Sequence, residues 1–309
     1  MISGEPVRPR IDDTLARVAE RFPAPLREQT GGLAHRLGLT RTPEQGFESF
    51  VVMAPNRDLP RYAAEDPRRP GTCRLSPGSL ARWRRAHHCA AVFGLVSDRL
   101  DDGQIAPDPW LLGLRDEMLA AWKVELAGAL GSPARARALI GAALRALGRG
   151  NALERQALSR AKESGPGTLS AQEYVRTVRW KLRWFGVAGH GALLSLGEPR
   201  RARALRDAYD TFSVGLQCVD DALDAERDER ERGASFPAAL GLPPEALLAA
   251  SKGLFARAAR MAGEAHFHEL AEWLSAMAER AARAHVAGDP LRNALGASIL
   301  HAAVSEVIP

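Results

Sequence analysis

Residues 215–228 read Gly-Leu-Gln-Cys-Val-Asp-Asp-Ala-Leu-Asp-Ala-Glu-Arg-Asp, and four aspartates emerge there from an apolar run that begins near Phe212. On a helix, positions i, i+4 and i+8 share a face, so Asp220, Asp224 and Asp228 align and Asp221 flanks them. Two carboxylates four residues apart are separated by ~6 Å along the axis. They repel by roughly 0.2–0.5 kcal/mol when exposed, and by more when desolvated. Placed beside Leu216, Val219 and Leu223, they call for a cation. All-oxygen donors suit a hard divalent ion, magnesium above others.

A second acidic group has the same construction. Residues 87–104 deliver Asp98, Asp101 and Asp102 at the end of the apolar run Ala90 to Val96. Asp98 and Asp102 are i, i+4 and share a face, and Asp101 is three residues from Asp98. Two such helices facing each other would form a carboxylate-walled mouth above an apolar well. Magnesium completes its shell with water and phosphate, so the expected ligand is a diphosphate whose hydrocarbon tail descends between the helices.

The elements that must position these acids read as helices. The chain is rich in Ala, Leu and Arg, with 46% hydrophobic and 26% charged residues, a globular profile in helical vocabulary. Helices are expected near 11–22, 24–38, 78–101, 110–131, 133–148, 150–163, 171–196, 200–231, 244–262, 264–286 and 288–306. Pro109 and Pro133 suit helix starts, and Ser170 with Glu173 forms a capping-box pattern. The proline-rich stretch 54–78 reads as an irregular connection, Phe50-Val51-Val52-Met53 as the one tempting strand, and 233–244 as a break that could act as a mobile lid. With neither repeat nor low-complexity linker, residues 1–309 read as a single all-α domain.

Other features bound the function. No apolar run approaches membrane-span length, and the N-terminus lacks a signal-peptide core. Cys73, Cys89 and Cys218 form no paired motif, so a reduced, cytoplasmic protein is expected. The net charge is +5, but the arginines are dispersed and no aromatic-interleaved basic patch appears, which argues against nucleic acid. His87, His88, His266 and His268 lack the companions zinc would need. The acids and arginines of 226–231 read as a solvated face.

Residues from about 81 to 240 resemble the trans-isoprenyl diphosphate synthases and the class I terpene synthases that share their fold. Gln217, Asp220, Asp221, Asp224 and Asp228 match the second aspartate-rich motif. Tyr174 and Lys181 keep the tyrosine–six residues–lysine spacing of the helix whose lysine grips the substrate diphosphate. Lys181 is one of only four lysines, with Lys123, Lys162 and Lys252. The resemblance implies an isoprenoid-synthase-type helical bundle around a central apolar cavity, and three magnesium ions bound with an allylic prenyl diphosphate. It also implies a homodimer. Asp98, Asp101, Asp102, Asp220, Asp224 and Asp228 are the implied metal ligands. Asp98, Asp102, Asp220, Asp221, Asp224 and Lys181 are the implied catalytic residues, with Lys181, Arg99 and Gln217 on the substrate diphosphate.

Departures from the family pattern choose the branch. The first motif reads Asp98-Arg99-Leu100-Asp101-Asp102, and the guanidinium of Arg99 cannot ligate a metal. The basic segment before that motif, the arginine pair after it and the lysine after the second motif, which together hold isopentenyl diphosphate in elongating members, are all unmatched. The expected activity is therefore that of a terpene synthase or cyclase: ionisation of one allylic diphosphate and release of diphosphate. Phe93, Trp180, Trp184, Phe185 and Phe212 would line the well, with a bulky Phe93 limiting its depth. A chain-elongating prenyltransferase and a non-catalytic partner subunit of one remain as alternatives.

Overall fold

The computed structural model describes residues 10–49 and 54–284. In chain order the helices are α1 (Ile11–Ala19), α2 (Ala24–Glu28), α3 (Leu33–Arg36), α4 (Ala54–Ala63), α5 (Pro77–Asp101), α6 (Pro109–Leu130), α7 (Pro133–Ser164), α8 (Ala171–Leu182), α9 (Val187–Ser195), α10 (Pro199–Arg232), α11 (Phe236–Leu240), α12 (Pro244–Glu264) and α13 (His268–Ala284). Short 3-10 helices occupy Phe47–Ser49 and Arg183–Gly186, and β1 (Glu65–Asp66) pairs antiparallel with β2 (Arg69–Cys73). The all-α expectation is met. The suggested strand at 50–53 and the suggested helix at 288–306 lie outside the described residues.

The helix starts follow their local chemistry. Ser76 caps α5 by accepting from Ser79 N, with Pro77 in the first turn, and Asp108 caps α6 by accepting from Leu111 N at 2.8 Å. The Ser170/Glu173 capping box opens α8. Such caps satisfy amide groups that have no partner within the helix, each contributing about 1 kcal/mol.

Contacts divide the chain into two compact units, residues 1–141 with 187–202 and residues 142–186 with 203–309. In the first, α5 is central and packs on α1, α4, α6 and α9. Trp83 and Trp122 are fully buried. Paired ions fix the rotation of α5: Arg84 grips Asp58 at 2.6 and 2.9 Å, and Arg85 grips Glu125 at 2.9 and 3.0 Å. In the second unit, Val175 and Val178 of α8, Val214 and Cys218 of α10, Phe236 of α11 and Leu247 and Leu254 of α12 form one buried cluster.

Several element boundaries differ from the sequence expectations. The expected helix 24–38 splits into α2 and α3, because Gly31 and Gly32 intervene and Gly32 adopts φ 74°. The stretch 54–78 holds α4, kinked at Asp58, and the β1–β2 hairpin rather than irregular chain. The expected helix 171–196 is interrupted at Arg183–Gly186, where Trp184 and Phe185 stack with ring centroids 3.7 Å apart. The expected break at 233–244 contains α11.

Conversely, α7 runs unbroken through Gly148 and Gly150. A helix-interior glycine costs only about 1 kcal/mol. Gly150 is required by a close approach, since a Cβ there would overlap the backbone of Lys181 on α8, whereas a Cβ at Gly148 would meet nothing. Gly150→Ala is therefore expected to lower unfolding stability in urea by about 1–3 kcal/mol. Gly148→Ala should raise it by about 0.5–1 kcal/mol. Equal effects at the two positions would contradict the close packing of α7 on α8.

Candidate functional site

The first acidic group lies at the C-terminal end of α5. Asp98 and Arg99 are half-buried in the last turn, Asp101 is exposed, and Asp102 is the C-cap residue, its N–H bonded to the Asp98 carbonyl at 2.9 Å. Gly103 then takes φ 68°, the left-handed turn that ends the helix. Carboxylates at a helix C-terminus oppose the macrodipole by about 0.3–1 kcal/mol each, so three in succession tend to attract a cation. Arg99 donates to Gln104 Oε1, which turns the guanidinium toward the segment following the helix.

The second acidic group sits within α10 in the other unit and is arranged differently. Asp220 is exposed, Asp224 and Asp228 are half-buried, and Asp221 is buried at 6% exposure. Adjacent helical residues point about 100° apart. Asp221 is thus directed into the unit while Asp220 faces outward. Its carboxylate accepts from the Tyr174 hydroxyl at 2.7 Å and from Gln217 Nε2 at 2.8 Å. Burial raises the Asp221 pKa well above the ordinary carboxylate value, outweighing the lowering by the Tyr174 and Gln217 hydrogen bonds, and burial together with Asp221 raises that of Tyr174. Leu223, expected beside the acids as part of their apolar approach, is instead 73% exposed.

Lys181 lies at 6% exposure on α8. Its ammonium meets Glu154 Oε2 of α7 at 2.7 Å. The other oxygen of Glu154 is 3.6 Å from Arg232, which lies 3.9 Å from Asp228. Arg227 bridges Asp224 and, at 4.0 Å, Asp228. The structure thus links Lys181 to the acids of the second motif through alternating charges on α7, α8 and α10. Glu154, Arg227 and Arg232 were not foreseen as participants, and the stretch 226–231 is not merely a solvated face. Glu154 lies among Ala, Leu and Arg in a helix whose other acid is Glu163, and nothing in its spacing marks it.

A further buried acid escaped the sequence reading. Asp210 lies on α10, eleven residues before Asp221 and so on nearly the same face. It is buried in the field of Arg183, Arg179 and Arg206, and burial outweighs their attraction, so its pKa rises to about 6.

The aromatic residues expected to line a well have identifiable local partners. Phe93 packs on Trp122 with centroids 6.1 Å apart, and Phe212 is fully buried against Tyr209, Phe255 and Trp273. The ring of Trp180 carries the guanidiniums of Arg149 and Arg183 at 4.7 and 5.3 Å. His87 and His88 are buried, and His88 bonds Thr14 and the Arg57 carbonyl, which is a structural role.

Among the described residues, no three or more His, Cys, Asp or Glu side chains converge as a self-sufficient metal site. No helix there is long and apolar enough to cross a membrane.

The described residues are almost wholly α-helical, with one short β-hairpin. Among solved structures the chain is similar to geranylgeranyl pyrophosphate synthase from Lactobacillus brevis, with a TM-score of 0.52 over 95% of this chain and 94% of that one, at 12% sequence identity. At that identity the likeness is one of fold. No family model matches the chain, and neither does any curated protein sequence.

The buried Asp210 carboxyl generates a pH prediction. Its folded pKa of about 6 exceeds the ordinary 3.8, so the folded state holds the proton more tightly and the penalty of ionising it grows as pH rises from about 4 to about 6. Relative to Asp210→Asn, the unfolding free energy of the natural chain should fall by about 3 kcal/mol across that window and then level off. Parallel stability curves for the two proteins would contradict the burial assigned to Asp210.

Proposed function

We propose that this chain is a magnesium-dependent class I isoprenoid synthase that ionises an allylic prenyl diphosphate, acting as a terpene synthase or cyclase that releases diphosphate. The observation that carries the reading is the arrangement around α10. Asp220 and Asp224 stand one turn apart on its accessible side, and Lys181 is tied to the same helix through Glu154 and Arg232. The scaffold supports it.

The donor set fits magnesium. Asp220, Asp224 and Asp228 offer only oxygen, and that stretch of α10 carries neither imidazole nor an accessible thiol. Magnesium binds through one or two carboxylates and completes its shell with water and phosphate. When bound, the ion supplies Lewis-acid stabilisation to a departing diphosphate. Asp220 and Asp224 are the proposed ligands on α10, with Asp228 behind them on Arg227 and Arg232. Asp98, Asp101 and Asp102 are the proposed ligands at the end of α5.

Lys181 is proposed to hold a diphosphate oxygen. Its present partner Glu154 carries one negative charge, and a diphosphate carries more, so the ammonium can turn to substrate or share the two. Gln217, whose Nε2 also lies 3.5 Å from Asp220, keeps that carboxylate oriented. The guanidinium of Arg99 adds positive charge where negative charge develops on the leaving group. Apolar surroundings then keep water from the allylic cation.

The lyase reading is preferred to chain elongation because the segment after α5, from Gly103 to Pro109, contains no arginine. Its Gln104 is bonded to Arg99 instead. Elongation with unconventional isopentenyl contacts is the second reading.

Purified protein with magnesium should be incubated with geranyl, farnesyl and geranylgeranyl diphosphates, each with and without isopentenyl diphosphate, and the products identified by mass. The expected outcome is a hydrocarbon or alcohol from one allylic substrate alone. Turnover should fall by roughly a hundredfold or more in Asp220→Ala, the loss of several kcal/mol of charge stabilisation. A longer diphosphate formed only with isopentenyl diphosphate would establish the second reading. Arg99→Asp would then be expected to raise elongation.

A further inference from the structure

Of the polar side chains buried between helices of the second unit, the Tyr174–Asp221 pair is the one whose geometry bears on the whole site. Tyr174 is fully buried on α8, and Asp221 is buried on α10. The phenol donates to Asp221 Oδ2 at 2.7 Å, and Gln217 donates to Asp221 Oδ1 at 2.8 Å, so both carboxylate oxygens are engaged. An O–H···O separation of 2.7 Å is that of a well-formed hydrogen bond. Such a bond is directional, unlike the apolar contacts of Val175, Val178 and Val214 around it.

Two consequences follow from helix periodicity. Lys181 lies seven residues beyond Tyr174, two turns along the same face of α8, so fixing Tyr174 against Asp221 fixes the height of Lys181 along α10. Asp220 and Asp221 differ by about 100° in direction, so drawing Asp221 inward turns Asp220 outward and places Asp224 one turn beyond it.

We propose that Tyr174 is a positioning residue and Asp221 its buried anchor rather than a metal ligand. Their hydrogen bond sets the rotation of α10 and the spacing between Lys181 and the acids that bind metal and diphosphate. This rests on the reading given under Proposed function. It goes beyond that reading in making Asp221, implied by the resemblance to be catalytic, a buried anchor, and in giving a role to a phenol that touches no substrate.

The test is Tyr174→Phe, which keeps the ring and removes only the hydroxyl. Binding of Mn2+ in the presence of inorganic diphosphate would be measured by calorimetry and electron paramagnetic resonance, alongside kcat, KM and urea unfolding. Leu247→Ala, a core change on α12, serves as a control for lost stability alone. The expected result is about tenfold weaker Mn2+–diphosphate binding in Tyr174→Phe, with kcat reduced more than KM is raised, and unaltered binding in folded Leu247→Ala.

Asp221→Asn provides a second route should Tyr174→Phe fold poorly. It should weaken binding similarly, and the double variant should be no weaker than Asp221→Asn alone, as expected of two groups acting through one bond. Natural protein that binds, with Tyr174→Phe binding equally well, would overturn the positioning role and leave the functional reading intact. Additive losses in the double variant would likewise overturn it. Natural protein that binds no Mn2+ with diphosphate would overturn the functional reading, and the positioning role with it.

Discussion

Four aspartates within nine residues of α10 repel one another, and the second unit depends on how that repulsion is offset. The offset is divided among neighbours. Arg227 and Arg232, on α10 itself, neutralise Asp224 and Asp228, and Glu154 on α7 draws Lys181 and Arg232 into the same alternation. Asp221 is treated separately, as a buried acceptor of two hydrogen bonds. Removing one member of a buried ion pair leaves the other uncompensated at a cost of about 3–5 kcal/mol, so α7, α8 and α10 are held in one relative arrangement by charge as well as by packing. Asp220 alone among the four is exposed.

The acids at the end of α5 follow a different logic. They sit at a helix end, where they oppose the dipole, and the rotation of that helix is set far from them. Arg84 on Asp58 and Arg85 on Glu125 lock the first half of α5, and the helix carries that rotation forward four turns to Asp98.

Much of this was legible in the sequence because periodicity is a property of the residues alone. The long helices, the cap at Ser170, the helix start at Pro109, and the shared face of Asp220, Asp224 and Asp228 could be read directly. Boundaries that rest on packing could not. Gly148 and Gly150 looked like a break, yet Gly150 is present so that α8 can lie against α7. The helix expected through 183–186 yields to a 3-10 turn that stacks Trp184 on Phe185. At the site, spacing shows that Asp220 and Asp221 point in different directions. Which of them is buried depends on Tyr174 from another helix. Glu154 and Asp210, acids in no recognisable motif, acquire meaning only from side chains brought to them by the fold.

The scarcity of lysine has a practical consequence. Lys123, Lys162 and Lys252 are exposed, while Lys181 is buried on Glu154. Among the lysines, an amine-directed reagent therefore meets three freely accessible targets and one that becomes reactive only when the α7–α8 ion pair opens. The slow fourth acylation is a clock for that opening, readable by mass alone and without any substrate. In selectively labelled protein the same amine would appear as one signal of four, reporting on the site from within.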